Sequence, residues 1–106
     1  WNGSAWTEVN DLNTARRELA GSGADNTSAL AFGGETPGDT EVGVTEDWNG
    51  SSWAETSDLN SSRNTLAGNG TITSALAYGG NPGTGVVAST EEWSGTSNTT
   101  RTVDTD

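Results

Sequence analysis

Trp48-Asn49-Gly50-Ser51-Ser52-Trp53 repeats, almost letter for letter, Trp1-Asn2-Gly3-Ser4-Ala5-Trp6. Asn-Gly is the strongest short-range hairpin signal, because both residues tolerate positive φ. Each copy therefore reads as a hairpin tip between two strands. Working outward, Asp11-Leu12-Asn13 returns as Asp58-Leu59-Asn60, and Leu19-Ala20-Gly21-Ser22-Gly23 returns as Leu66-Ala67-Gly68-Asn69-Gly70. Ala29-Leu30-Ala31-Phe32-Gly33-Gly34 returns as Ala75-Leu76-Ala77-Tyr78-Gly79-Gly80. A third copy opens at Thr90-Glu91-Glu92-Trp93 and fails after Gly95. The offset is 47 residues from Trp1 to Trp48, 46 from Gly33 to Gly79 and 45 from Trp48 to Trp93, so the deletions fall in connecting segments. A period this long marks supersecondary units that bury their faces by stacking.

Each repeat reads as four short strands. The first is Leu19 to Gly23 and Leu66 to Gly70, the second Ser28 to Gly34 and Ser74 to Gly80. The third is Val42 to Trp48 and Val86 to Trp93, the fourth Ser4 to Val9 and Ser51 to Thr56. Pro37-Gly38-Asp39 and Pro82-Gly83-Thr84 mark the turn after the second strand. Asp11 to Gly21 competes as a helix, with an N-cap candidate and a terminal Gly. Its second copy carries Asn60-Ser61-Ser62-Arg63-Asn64-Thr65, poor residues for a helix interior. Equivalent positions should share a structure, so the expectation is a loop leading into a strand.

Small residues at Ala29, Ala31, Ala75 and Ala77, next to paired glycines, suit strands packed closely on both faces. Tryptophans on the third and fourth strands would fill a wider outer space. That taper is what wedge-shaped sheets arranged radially require. The order of apolar strand, Gly-Gly, variable loop, aromatic, short gap, Trp, then Leu and Arg resembles the kelch repeat, which builds β-propeller blades. Gly33-Gly34 and Gly79-Gly80 match its double glycine. Trp48 and Trp93 stand where kelch usually has Tyr. Trp53 matches its Trp, and Trp6 the same position in a preceding blade. Arg16 and Arg63 match the arginine at the start of the next blade. The gap between the two aromatics is shorter than is usual in the family. The resemblance is to divergent kelch-like repeats of phage and environmental-microbe proteins, which implies an extracellular or virion-surface location.

The expected fold is all-β, with β-propeller blades of four antiparallel strands and about two blades in this chain. Residues 1–12 would supply the closing strand of a preceding or final blade. Residues 13–59 would form a full blade, residues 60–95 a second, incomplete one, and residues 96–106 a non-repeating tail. Propellers typically hold about 4–8 blades. Completion would come from self-association, with three chains giving six blades, or from the remainder of a longer chain. Arg101-Thr102-Val103-Asp104 alternates like a strand and offers a replacement fourth strand or a contact with a neighbour.

Composition narrows the chemistry. Apolar residues make up 29% of the chain, and Cys, Met, His and Lys are absent, so disulfides, catalytic triads and the common metal sites lack their residues. Fifteen acidic residues against four arginines leave a net charge of −11, which repels nucleic-acid backbones and anionic lipid. No apolar run reaches the ~20 residues of a membrane span. Glu46-Asp47 and Glu91-Glu92 are adjacent in strands and point to opposite faces. A glycoside-hydrolase pair would instead draw on Glu35 and Asp39 facing Asp58 or Glu41.

No cofactor is expected. Calcium is the one cation considered, with Glu35, Asp39 and Glu41 as its oxygen donors. Tryptophans can stack on sugars, but their recurrence at repeat positions argues for packing, with Trp6, Trp48, Trp53 and Trp93 structural alongside Gly33, Gly34, Gly79 and Gly80. Trp6 and Trp53 are expected to occupy equivalent, largely buried sites. Arg16 and Arg63 are expected to pair with Asp11, Asp58 or Glu18. The candidate ligand-binding face comprises Asp11, Asn13, Arg16, Glu35, Asp39, Glu41, Asp58, Asn60, Arg63 and Asn81, acidic and amide-rich and suited to sugar hydroxyls or a basic protein surface. The function expected is a non-enzymatic binding or structural element. A glycan-processing propeller enzyme and a purely mechanical spacer are the alternatives.

Overall fold

The computed structural model describes residues 1–95 and the backbone of residues 98–102. The described residues are all-β, without a helix. Ten strands follow in order: β1 (Ala20–Asp25), β2 (Ser28–Phe32), β3 (Glu35–Thr36), β4 (Thr40–Glu41), β5 (Thr45–Trp48), β6 (Trp53–Thr56), β7 (Ala67–Gly70), β8 (Ala75–Tyr78), β9 (Ser89–Trp93) and β10 (Asn98–Thr102). β1-β2-β5-β6 form one antiparallel four-stranded sheet, sheet I, and β7-β8-β9-β10 a second, sheet II. β3 and β4 form a small hairpin within the β2–β5 connection.

Both sheets are meanders. At the Trp48-to-Trp53 turn, Asn49 Oδ1 accepts hydrogen bonds from Ser51 N, Ser51 Oγ and Ser52 N, and Gly50 takes φ +99°. The residues flanking it pair across the ladder as Trp48 and Trp53. In register, Ala20, Phe32, Thr45 and Thr56 form one row across sheet I. Ala67, Tyr78 and Thr90 form the matching row in sheet II. The connections 11–19, 33–44, 57–66 and 79–88 therefore all leave from one end of the molecule.

Alternation along β2 sends Leu30 and Phe32 to one face and Ala29 and Ala31 to the other. Leu30 and Phe32 are 3% exposed, and they form the core with Leu66, Ala75, Ala77 and Trp93 of the second repeat. Burying such an aliphatic or aromatic side chain is worth about 1.5–3 kcal/mol. β1 and β7, the first strand of each repeat, lie against each other. The approach is close enough to require glycine: a Cβ on Gly68 would stand 2.3 Å from Phe32 Cζ.

Several boundaries differ from the sequence reading, for identifiable reasons. The third strands start at Thr45 and Ser89 instead of Val42 and Val86. Gly33 N donates to Val44 O and Val42 N to Gly34 O, so pairing with β2 runs on irregularly past the double glycine, whose positive φ ends the regular ladder, while Gly43 O accepts from Leu59 N of the second repeat. The fourth strand starts at Trp53, because Ser51 and Ser52 belong to the Asn49 turn. Residues 4–9 form no strand within this chain. Asn2 caps its turn as Asn49 does, and Trp1 and Trp6 meet at 5.5 Å between ring centroids, but no third strand lies beside them. The edge of β9, where a fourth strand belongs, is held by β10, from Asn98 opposite Trp93 to Thr102 opposite Ser89. The strand expected near Arg101 and Thr102 is thus present in the replacement position, while Val103 and Asp104 lie outside the described residues.

Candidate functional site

The connections at the loop end carry the charged residues, and the structure divides them into two groups. The first is internal. Arg16, on the lead-in to β1, sends Nη2 to Glu46 Oε2 at 3.0 Å, with both side chains fully shut off from water. Its Nη1 donates to Gly33 O and Val44 O. Glu46 in turn accepts from Asn13 N and Thr14 N. The second repeat copies this network. Arg63 Nη2 lies 2.8 Å from Glu91 Oε2, Arg63 Nη1 donates to Gly79 O and Ser89 O, and Glu91 accepts from Asn60 N and Ser61 N.

Each network ties a lead-in loop, the double glycine and the third strand into one unit. Charge burial of this kind is tolerated only when both ions are paired and hydrogen-bonded. The expected partners Asp11, Asp58 and Glu18 are therefore corrected to Glu46 and Glu91. Those carboxylates sit two residues before Trp48 and Trp93 and share the inward face of the strand with them. Arg16 and Arg63 consequently have their guanidinium groups engaged in these internal networks.

The second group surrounds the seam between the repeats. Arg17 pairs through its backbone with Glu35, as Asn64 pairs with Asn81 at the equivalent positions. Glu35 is buried at 7%, accepting from Arg17 Nε at 2.7 Å and from Asn64 Nδ2 at 2.8 Å. Arg17 also pairs with Asp39, which is exposed. The hydrogen bond and charge of Glu35, followed by the charge and bond of Asp39, hold the Arg17 guanidinium above its ordinary pKa. Asp39 itself takes φ +61° beside Gly38 at φ +98°, the tip of the β3–β4 hairpin. Arg17 and Asn64, which cross-link the seam, escaped the sequence reading. Their signal is positional: each directly follows the buried arginine of its repeat.

The remaining candidates are spread along the same end. Asp11, Asn13, Asp58 and Asn60 are exposed. Asn13 Nδ2 donates to Trp53 O, and Asn81 Oδ1 accepts from Gly83 N and Gly85 N to shape its turn. Glu41 reaches the neighbouring connection, its Oε2 3.2 Å from where a Cβ on Gly83 would stand. Of Glu35, Asp39 and Glu41, weighed together for calcium, Glu35 and Asp39 meet on the Arg17 guanidinium, which takes the place a cation would need between them. Among the described residues no group of three or more metal-ligating side chains stands together.

The aromatic positions separate in a similar way. Trp48 and Trp93 are buried, and their Nε1 groups donate to Asn26 O and Ile72 O. Trp53 is half-buried on Trp48, with ring centroids 5.2 Å apart. Trp6 is 83% exposed, against the expectation of burial, because the strand it would lie on is missing beside it. Gly33 and Gly79 take φ +71° and +73°, as a requirement for glycine there implies. No protein-family model matches the chain, and no curated protein matches it in sequence.

Proposed function

We propose that the chain is a non-enzymatic module of two kelch-like β-propeller blades that acts as a binding or structural element of an extracellular or virion-associated assembly. The observation that carries this reading is the use made of the charged residues at the loop end. Arg16, Arg63, Glu46 and Glu91 are consumed by internal networks, and Glu35 is held by Arg17 and Asn64. Glu35 was the inner member of the carboxylate pairs suited to glycoside hydrolysis. The carboxylates left facing solvent there are Asp11, Asp58 and Asp39, the last paired with Arg17.

A surface of that sign, on a chain of net charge −11, fits a basic protein patch. A glycan is the second ligand class, favoured by the open Trp1–Trp6 pair alone, since Trp48 and Trp93 are buried. Calorimetric titration with an Arg-rich peptide at low ionic strength tests the main reading. Binding that weakens as salt rises, and weakens again in Asp11→Asn/Asp58→Asn, is expected. Absence of binding at low salt sinks it, and saturable binding of a neutral oligosaccharide with loss in Trp6→Ala transfers the assignment to glycans.

A further inference from the structure

The two repeats have the same sequence pattern, but several equivalent positions differ in burial. On the face that points from sheet I toward sheet II, Leu30 and Phe32 are 3% exposed. Their equivalents on the corresponding face of sheet II, Leu76 and Tyr78, are 39% and 37% exposed. The opposite faces show the converse at two positions. Leu66 and Ala75 are buried at 8% and 5%, whereas Leu19 and Ala29, their equivalents in the first repeat, are only half-buried; Ala31 and Trp48 are buried as their equivalents Ala77 and Trp93 are.

The glycines report the same asymmetry. A Cβ on Gly33 would press on Leu66 Cδ2 at 2.8 Å, while one on Gly79 would meet nothing nearer than Val87 O at 3.9 Å. Gly68 lies under the Phe32 ring, while its equivalent Gly21 has only Leu30 O near, at 3.2 Å. The chain thus contains one complete junction and the two unmatched halves of another. One half carries the ring, Tyr78, and the other the glycine seat, Gly21.

We propose that the Leu76–Tyr78 face of sheet II docks head-to-tail on the Leu19–Gly21–Ala29 face of sheet I in a second copy of this chain, reproducing the internal junction between copies. The occupant is specified by the internal junction, which already shows this pair of faces packed together. The inference rests on reading the two sheets as successive blades, and it is independent of any ligand at the loop end. The interface is heterologous, so it closes into a ring or continues, and a copy with one face blocked retains the other.

One position departs from the internal template. Ala88 stands where Gly43 does, and a Cβ at Gly43 would meet Leu59 O at 3.0 Å, so the docked Leu12 backbone gives by a few tenths of an ångström. Like-charged copies repel, and added salt therefore strengthens the association.

Sedimentation of the whole chain, with and without one substitution on each face, tests the proposal. The wild type is expected to form oligomers, closed or continuing, whose fraction rises with concentration and with salt. Tyr78→Arg blocks one face and Gly21→Arg the other. Each variant alone is expected to sediment as a single chain of 10.8 kDa. An equimolar mixture is expected to give a dimer and nothing larger, because one live face of each sign remains. Tyr78 is exposed, so its substitution leaves the fold intact, as far-ultraviolet circular dichroism would show. A wild type monomeric at every concentration and salt overturns the proposal, as does either variant associating like the wild type. Failure of peptide binding at the loop end leaves these outcomes unchanged.

Discussion

Arg63 and Glu91 form an ion pair whose side chains are 0% and 2% exposed, and Arg16 with Glu46 repeats it in the first sheet. A chain so poor in apolar residues places two full ion pairs inside. Each carboxylate also binds two backbone N–H groups of the incoming loop. The polar core therefore fixes how a strand enters its sheet, a geometry that apolar packing alone leaves loose.

Arg63→Ala leaves Glu91 buried without its counter-ion. Breaking such a pair costs about 3–5 kcal/mol, a large share of the 5–15 kcal/mol typical of a whole domain. The double variant Arg63→Ala/Glu91→Leu is expected to recover little of this, because Asn60 N and Ser61 N then lose their acceptor. Urea unfolding of the three proteins measures both effects. A double variant as stable as the wild type would show that the pair has no anchoring role.

Gly68 and Gly21 occupy equivalent positions in different surroundings, and neither carries a positive φ. Gly68→Ala must displace the Phe32 ring, and overpacking of this kind costs about 1–3 kcal/mol. Gly21→Ala meets only the Leu30 carbonyl and is expected to cost clearly less. The comparison is made by thermal unfolding at protein concentrations low enough to keep chains apart. Equal losses would remove the ring-over-glycine packing as the reason for Gly68.

The main strands of the two sheets and their order were legible because the repeat supplies two readings of most of them, whereas the β3–β4 hairpin, without a counterpart strand pair in the second repeat, was not. A helix plausible over Asp11 to Gly21 was rejected by its copy at Asp58 to Gly68. The buried arginines were legible as junction residues but not their partners. Glu46 and Glu91 each have an acidic neighbour on the opposite face, Asp47 and Glu92, and local sequence does not show which carboxylate meets an arginine some 30 residues away. The shared face of Glu46 with Trp48, two residues on, was the available clue. The strand at residues 4–9 failed for a different reason. A strand needs a partner, and β10 occupies the β9 edge in this chain.

Trp53 and Trp6 share a repeat position but not an environment. Trp53 rests on Trp48 and donates Nε1 to Asn10 O at 3.2 Å. Trp53→Ala is expected to cost about 2–3 kcal/mol, less than the 3–5 kcal/mol of a fully buried aromatic. Trp6→Ala, at an exposed site, is expected to stay within about 0.5 kcal/mol. Urea midpoints of dilute single chains read the difference. A Trp6→Ala loss as large as that of Trp53→Ala would mean that residues 4–9 are packed in solution.

Asp25 closes the β1–β2 turn, its Oδ1 accepting from Thr27 Oγ1 at 2.7 Å and Thr27 N at 2.8 Å. The side-chain bond first and the backbone bond second favour the ionised form, and together they hold the Asp25 carboxyl below the usual aspartate range. Burial opposes the shift but does not cancel it. The turn bonds therefore contribute to stability in full above the ordinary aspartate pKa. Their contribution is lost as pH falls through the lower, folded value. Thr27→Ala removes the larger cause and leaves the backbone bond, so the Asp25 pKa is expected to rise part of the way back. A carboxyl-detected NMR titration of the two proteins follows the shift directly. The assignment fails if Asp25 titrates at the same pH in both, or if Thr27→Ala lowers it further.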